Sequence, residues 1–177
     1  VTWGFHRIWH GNVDREALNA ISANKPIFVW QRSFHEIIAN DAAINWIGTA
    51  HEDLERHPQI DLASGRFFET GLGVAVQAMN KVLLEPKRYI KGLELVKQTV
   101  HLGGHTTIGE LAYPMMDDSL EWPVLTETLD TKDTPFRMKI VPRSLQRGNF
   151  KGTPEEDVAR ISEFASRNTE KLFFGNN

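Results

Sequence analysis

From residue 106 onward the chain alternates between two kinds of segment. TTIGELA, PMMDDSLEWPVLTETLD, PFRMKIVPR, a stretch opened by TPEE and KLFFGNN read as strand, helix, strand, helix, strand. Strands separated by helices return to the same end of a sheet before each new strand starts, so they pair in parallel. This half is therefore expected to be α/β, built from consecutive βα units. Thr153, Pro154 and Glu156 form a capping box for its last helix, with Val158, Ile161 and Ala165 as the apolar positions. Pro123 is expected to break the helix before it. The clearest helix precedes the alternation, PKRYIKGLELVKQTVHLGG. Pro86 takes its first turn, Tyr89, Leu93, Val96 and Val100 recur at helical spacing, and Gly103 or Gly104 closes it.

The first half is less regular. Asp14 caps a short helix, DREALNAIS, whose Leu18 and Ile21 share a face. PIFVWQ has the β-branched and aromatic content of a strand. Ile37, Ile38, Ala42 and Ile44 suggest a helical pattern starting right after His35, with Asn40 and Asp41 offering a helix start that runs to Gly48. His35 then stands at a seam between strand and helix, where α/β proteins keep functional side chains. Residues 49–65 read as a polar surface excursion with a helical turn, and a helix is expected after Gly73.

Composition narrows the function. With 177 residues, 41% of them hydrophobic, the chain can bury a real core. Its 20 Lys and Arg against 23 Asp and Glu, a net charge of −3, suit nucleic acid poorly, because phosphate binding needs clustered cations. No apolar run approaches the ~20 residues of a membrane span, so neither a nucleic acid nor a membrane is expected as partner. Cysteine is absent, which excludes disulfides and thiolate metal sites and fits a cytoplasmic or a periplasmic protein equally. The chain opens on Val1 in what reads as the middle of a larger sequence.

Most chemical motifs dissolve on inspection. His6 and His10 have helical ligand spacing, but Arg7 stands where a zinc protease needs Glu, and the neighbouring Trp and Ile favour packing. GLG at 71–73 lacks the third glycine of a dinucleotide fingerprint. Arg137, Lys139, Arg143, Arg147 and Lys151 read equally well as a solvated edge, and His101 and His105 straddle a helix end where histidine is common. Two carboxylates stand out: Glu69, in the apolar RFFETGLG, and Glu110, near the end of the TTIGELA strand, where a barrel strand would point it at an active site.

The ordered pieces WGF, DREALNAI, KPIFVW, FHEIIANDAAI, GRFFE, PKRYIKGLELVKQTVHLGG, HTTIGE and PFRMKIVPR resemble the interior of amidohydrolase family 3 proteins. These metal-dependent hydrolases are akin to N-substituted formamide deformylases and to the exoenzymes regulatory protein AepA. The resemblance implies a partial TIM barrel with an inserted α+β subdomain, residues 1–85 forming the insertion and 86–177 the βα units. It implies a parent that hydrolyses non-peptide C–N bonds of a small amide-type substrate with a divalent metal, zinc, and metal-activated water. The chain itself would begin after the metal-binding H-x-H and stop short of the lysine-bearing strand. It would hold no metal and be inactive alone. His35 would orient the substrate, and Glu69 and Glu110 would be pocket residues. An incomplete barrel leaves open strand edges, so a homo-oligomer is expected. The competing class is a binding or regulatory module without chemistry.

Overall fold

The computed structural model describes residues 1–115, 117–143 and 153–175. The chain divides into two compact units, Val1–Lys81 and Val82–Asn177. Both are α/β, as the alternation in the sequence requires of the second.

The first unit carries β1 (Thr2–Phe5), α1 (Arg7–His10), α2 (Arg15–Ile21), β2 (Phe28–Gln31), β3 (Glu36–Ala39), α3 (Asp41–Ile47), α4 (His51–Arg56), β4 (Ile60–Asp61), β5 (Arg66–Phe68) and most of α5 (Glu69–Leu83). Its strands form one sheet in the order β1-β2-β3-β5-β4, parallel between β1 and β2 and antiparallel elsewhere. The expected helix at Ile37 and Ile38 is in fact β3. Both isoleucines are buried, at 0% and 1% exposure, one on each face of the sheet. A strand covered on both faces loses its alternation and reads like the start of a helix. His35 therefore sits in a β-hairpin, and the helix starts only at Asp41.

Asn40 makes that switch from strand to helix possible. Fully buried, its side chain uses all four of its hydrogen-bonding positions. Oδ1 accepts from the Ala43 N–H, capping α3, and from the Ile27 N–H just before β2, both at 2.9 Å. Nδ2 donates to the carbonyls of Ser22 at 2.7 Å and Lys25 at 2.9 Å, anchoring the chain that leaves α2. Next to it Asp41 accepts from Arg15 and Asn19, and these bonds hold its carboxyl below the usual carboxylate range.

Other departures from the sequence reading have equally local causes. The stretch 49–65 contains α4 and β4, and RFF is β5. Gly65 turns the chain between them at φ +71°, where a Cβ would stand 2.3 Å from the Ala39 carbonyl oxygen, so no other residue fits. The α5 helix begins at Glu69 and contains the GLG motif. A Cβ on Gly71 would lie 2.3 Å from the Gln59 carbonyl oxygen, so this glycine serves close packing of the helix. In α2, Leu18 is buried and Ile21 is left 73% exposed. His6 caps α1, accepting from the Ile8 N–H, and its ring tilts against Trp9; His10 contacts the His6 backbone.

The second unit carries α6 (Pro86–Leu102), β6 (Thr107–Tyr113), α7 (Asp118–Leu129), β7 (Arg137–Pro142), α8 (Pro154–Phe164), a 3-10 turn (Ala165–Arg167) and β8 (Leu172–Phe174). The three strands pair in parallel in sequence order, an open sheet; the described residues contain no closed barrel. Ile108, Met138, Ile140, Leu172 and Phe174 turn to the helices, with Tyr113, Leu125, Leu129 and Phe164 completing the core. Leu111 is on the open side, 75% exposed. The capping box at Thr153 and Glu156 forms with both bonds, and Pro86 takes the first turn of α6 behind its cap, Glu85. Gly104, at φ +69°, takes the left-handed position after α6.

Two expectations fail here. Pro123 lies inside α7 and does not end it; Leu125 and Leu129 bury the helix on the sheet strongly enough to carry it past one lost backbone bond. In α8 the buried positions are Asp157 and Phe164, while Val158 remains 63% exposed. Of the basic run, Arg137 and Lys139 are exposed on β7, Arg143 donates to the Met115 carbonyl, and Arg147 and Lys151 lie outside the described residues. No helix of the described residues is long and apolar enough to cross a membrane.

Because Asn40 satisfies two buried N–H groups and two carbonyls at once, Asn40→Ala should cost about 3 kcal/mol or more, the sum of several unpaired polar groups. Chemical denaturation of the two proteins measures it. A loss below about 1 kcal/mol would mean that water replaces the amide.

Candidate functional site

The connection between β2 and β3 is Arg32-Ser33-Phe34-His35, with no glycine or asparagine. It closes by a turn in which the Phe34 N–H donates to the Gln31 carbonyl at 3.0 Å, and Phe34 then takes φ +64°. A residue in the left-handed region is the usual end of such a loop, but glycine or asparagine normally fills it. On a phenylalanine that backbone costs roughly 1 kcal/mol.

His35 follows and reaches across to Glu69, the first residue of α5. Its Nδ1 lies 2.9 and 3.1 Å from the two carboxylate oxygens, and the Glu69 N–H donates to the His35 carbonyl at 3.2 Å. The two residues are thus joined by backbone and side chain. Glu69 itself has φ +40°, and it and Phe34 are the non-glycine residues with positive φ among the described ones. Strain of this kind persists only where the surrounding structure over-determines it, and it gathers at functional sites. Both side chains stay open to solvent, His35 at 68% and Glu69 at 51%.

A carboxylate on Nδ1 fixes the imidazole's tautomer and ring orientation. The proton sits on Nδ1, and Nε2 has no protein partner among the described residues. Neutral, Nε2 offers a lone pair to an N–H or O–H; protonated, it donates to a carbonyl oxygen, with Glu69 balancing the charge. Behind the pair lies a second carboxylate that the sequence did not single out. Glu36 is 5% exposed and accepts from Arg66, Arg7 and Gln31. Burial pushes its carboxyl up from the ordinary glutamate range, with Arg7 opposing. This network locks the start of β3, hence the base of the hairpin that presents His35. On the other side Thr70 donates its N–H to the Gln59 side-chain oxygen at 3.0 Å, steadying the first turn of α5.

Glu110 is placed differently. It lies in the second unit on β6, in register with the buried Ile140, and its carboxylate accepts from the Ala112 N–H at 3.0 Å. Its charge and that of Glu121 help raise the Tyr89 hydroxyl pKa, for which burial is the main cause. The structure therefore brings His35 and Glu69 together, and sets Glu110 beside a helix tyrosine. No group of three or more His, Asp or Glu side chains able to hold a metal forms among the described residues. A shallow groove in the second unit, lined by Pro142, Val158, Ile161 and Phe174, offers no ionisable group.

No family model matches the chain, and no curated protein matches it. Solved structures do. An uncharacterized metal-dependent hydrolase from Pyrococcus horikoshii OT3 superposes with a TM-score of 0.58 at 17% identity, over 96% of this chain and 31% of that one. A second uncharacterized metal-dependent hydrolase, from Pyrococcus furiosus, gives 0.52 at 16%, over 96% of this chain and 32% of that one. The likeness is one of fold. The chain spans about a third of the length of these structures.

The histidine pair sets up a direct spectroscopic test. Nitrogen-15 spectra of neutral His35 should show the proton on Nδ1, and Glu69→Ala should shift it toward Nε2, the position favoured in free imidazole side chains. An Nε2-protonated ring in the unaltered protein would refute the assignment, which rests on the placement of the carboxylate.

Proposed function

We propose that the chain is a stretch of a metal-dependent amidohydrolase of the family 3 type, whose full-length form hydrolyses the C–N bond of a small non-peptide amide. The observation that carries the reading is the His35–Glu69 pair. Two residues singled out from separate motifs of the resemblance meet at one strained, solvent-open end of a sheet. The fold shared with two metal-dependent hydrolases over 96% of the chain supports it. In this reading residues 1–85 are the inserted subdomain and 86–177 are βα units of a TIM barrel. The described residues do not fit a metal site, so the divalent ion, zinc by the resemblance, would be held by other parts of the full-length protein.

His35 is the substrate-orienting group, acting through Nε2. As imidazolium it polarises the carbonyl by donating to its oxygen. As neutral imidazole it accepts the amide N–H. Glu69 positions the ring in both states. Glu110 belongs to the second unit, and its hydrogen bond within β6 suits a structural part.

In the full-length protein His35→Ala should lower kcat/KM about 100-fold, the usual scale for losing one positioned proton donor or acceptor. Its ring is largely exposed, so the thermal midpoint should move by no more than about 2 °C. Full activity, or a midpoint that collapses with it, would end the pocket role. A full-length protein that binds amides and turns none over would leave the binding-module reading in its place.

This chain alone is proposed to self-associate. Among the described residues β6 and β8 each have a strand neighbour on one side only, and Leu111 and Val158 are exposed in the same unit. Unpaired parallel edges with apolar side chains nearby invite a second copy. Light scattering across a dilution series should give a mass near twice 20.1 kDa at high concentration. A monomer throughout would rule the proposal out.

A further inference from the structure

One row of side chains crosses the first sheet at a single level. Trp3 registers with Trp30, Trp30 with Ile37, and Ile37 with Phe67, so all four share a face. Ile37 and Phe67 are fully buried, whereas at the other end of the row Trp3 is 58% exposed. Phe34 folds back over that open end. Its ring stacks on Trp3 at a centroid distance of 5.1 Å and meets Trp30 edge-on at 5.4 Å, yet it remains 52% exposed.

The same row locates the histidine pair. His35 precedes Ile37 by two residues and Glu69 follows Phe67 by two, on antiparallel strands, so both lie at the same end of the sheet. Both lie just beyond the ends of β3 and β5, and His35 directly follows Phe34, so the pair stands next to the residue that forms the aromatic stack.

Three features of the stack are not recovered in folding. Phe34 holds a left-handed backbone that glycine or asparagine would adopt freely. Two large aromatic rings stay half open to water. The buried Trp30 Nε1–H has no hydrogen-bond partner, an unsatisfied donor of the kind that native structures rarely keep without cause. A clamp for β1 alone would need none of them. All three fall beside the His35–Glu69 pair, whose Nε2 has no protein partner among the described residues.

We infer that Trp3, Phe34 and Trp30 form a shelf that binds a flat apolar ring carried by an amide whose polar group meets Nε2 of His35. The inference rests on the substrate-orienting role proposed for that histidine, and it adds the class of substituent. Stacking on exposed aromatic faces selects flat rings over small alkyl groups.

Benzamide and acetamide are the probes, titrated into this chain while NMR follows the His35 ring proton and the Trp3 and Trp30 indole N–H signals. Benzamide should shift all three and reach half-saturation at a concentration about tenfold below that of acetamide, the factor expected of one ring stack. Phe34→Asn keeps a residue that tolerates the left-handed turn. It should erase the preference for benzamide while acetamide still moves His35. Trp3→Ala, which leaves the turn untouched, should do the same. Benzamide binding no tighter than acetamide in the unaltered chain overturns the shelf and leaves the role of His35 standing. So does a preference that survives both substitutions, since the stack is then only a clamp. If neither amide moves His35, the shelf and the substrate-orienting role fall together.

Discussion

The first unit depends on one buried amide. Asn40 terminates β3, caps α3, holds the backbone entering β2 and anchors the chain leaving α2, and no other residue type offers two acceptor and two donor positions in that space. An aspartate would lose both donors, and a serine could not reach four partners. With the amide in place, β3 must run as a strand up to residue 39 and the helix must begin at 41. The hairpin before it is then held at its base, and His35 is delivered to a fixed place at its tip.

A second polar cluster completes that rigidity. Glu36 is taken out of water beside two arginines, an arrangement that gives less stability than its short distances suggest, because desolvation offsets most of the attraction. Its geometric effect is clearer. Arg7 follows β1, Gln31 ends β2 and Arg66 opens β5, so a single carboxylate ties three strands to the start of β3. The strained residues Phe34 and Glu69 stand immediately outside this locked region. A rigid frame with strain concentrated at its rim is how a protein keeps an exposed histidine pre-organised, and loop flexibility would not serve that purpose.

The second unit is organised by apolar contacts. Tyr113, Phe164 and Phe174 meet ring against ring, with Trp122 at the edge, and the Tyr113 hydroxyl donates a hydrogen bond to Asp118, which Arg167 also holds. This aromatic knot joins the C-terminal ends of β6 and β8 to α7 and α8. It also explains why α8 turns Phe164 inward. The ring finds a stacked partner in Phe174, whereas Val158 stays exposed.

Local chemistry was legible in the sequence at several places where a residue acts on its own neighbours. The capping box at Thr153, the caps at Asp14 and Asn40, Pro86 in a first turn and the parallel βα order all follow from interactions spanning a few residues. Tertiary packing decided the rest. Ile37 and Ile38 became a strand because both faces of that strand are covered, and Pro123 stayed helical because burial outweighs one backbone bond. The unpredicted strands β1, β4 and β5 each form by pairing with a neighbour in the sheet, β1 with β2, β5 with β3 and β4 with β5. His35 and Glu69 could each be picked out as a candidate, but they stand 34 positions apart, and only the register of β3 with β5 makes them a pair. Short-range bonds leave their signature in the chain itself, while pairing across a sheet depends on which strands become neighbours.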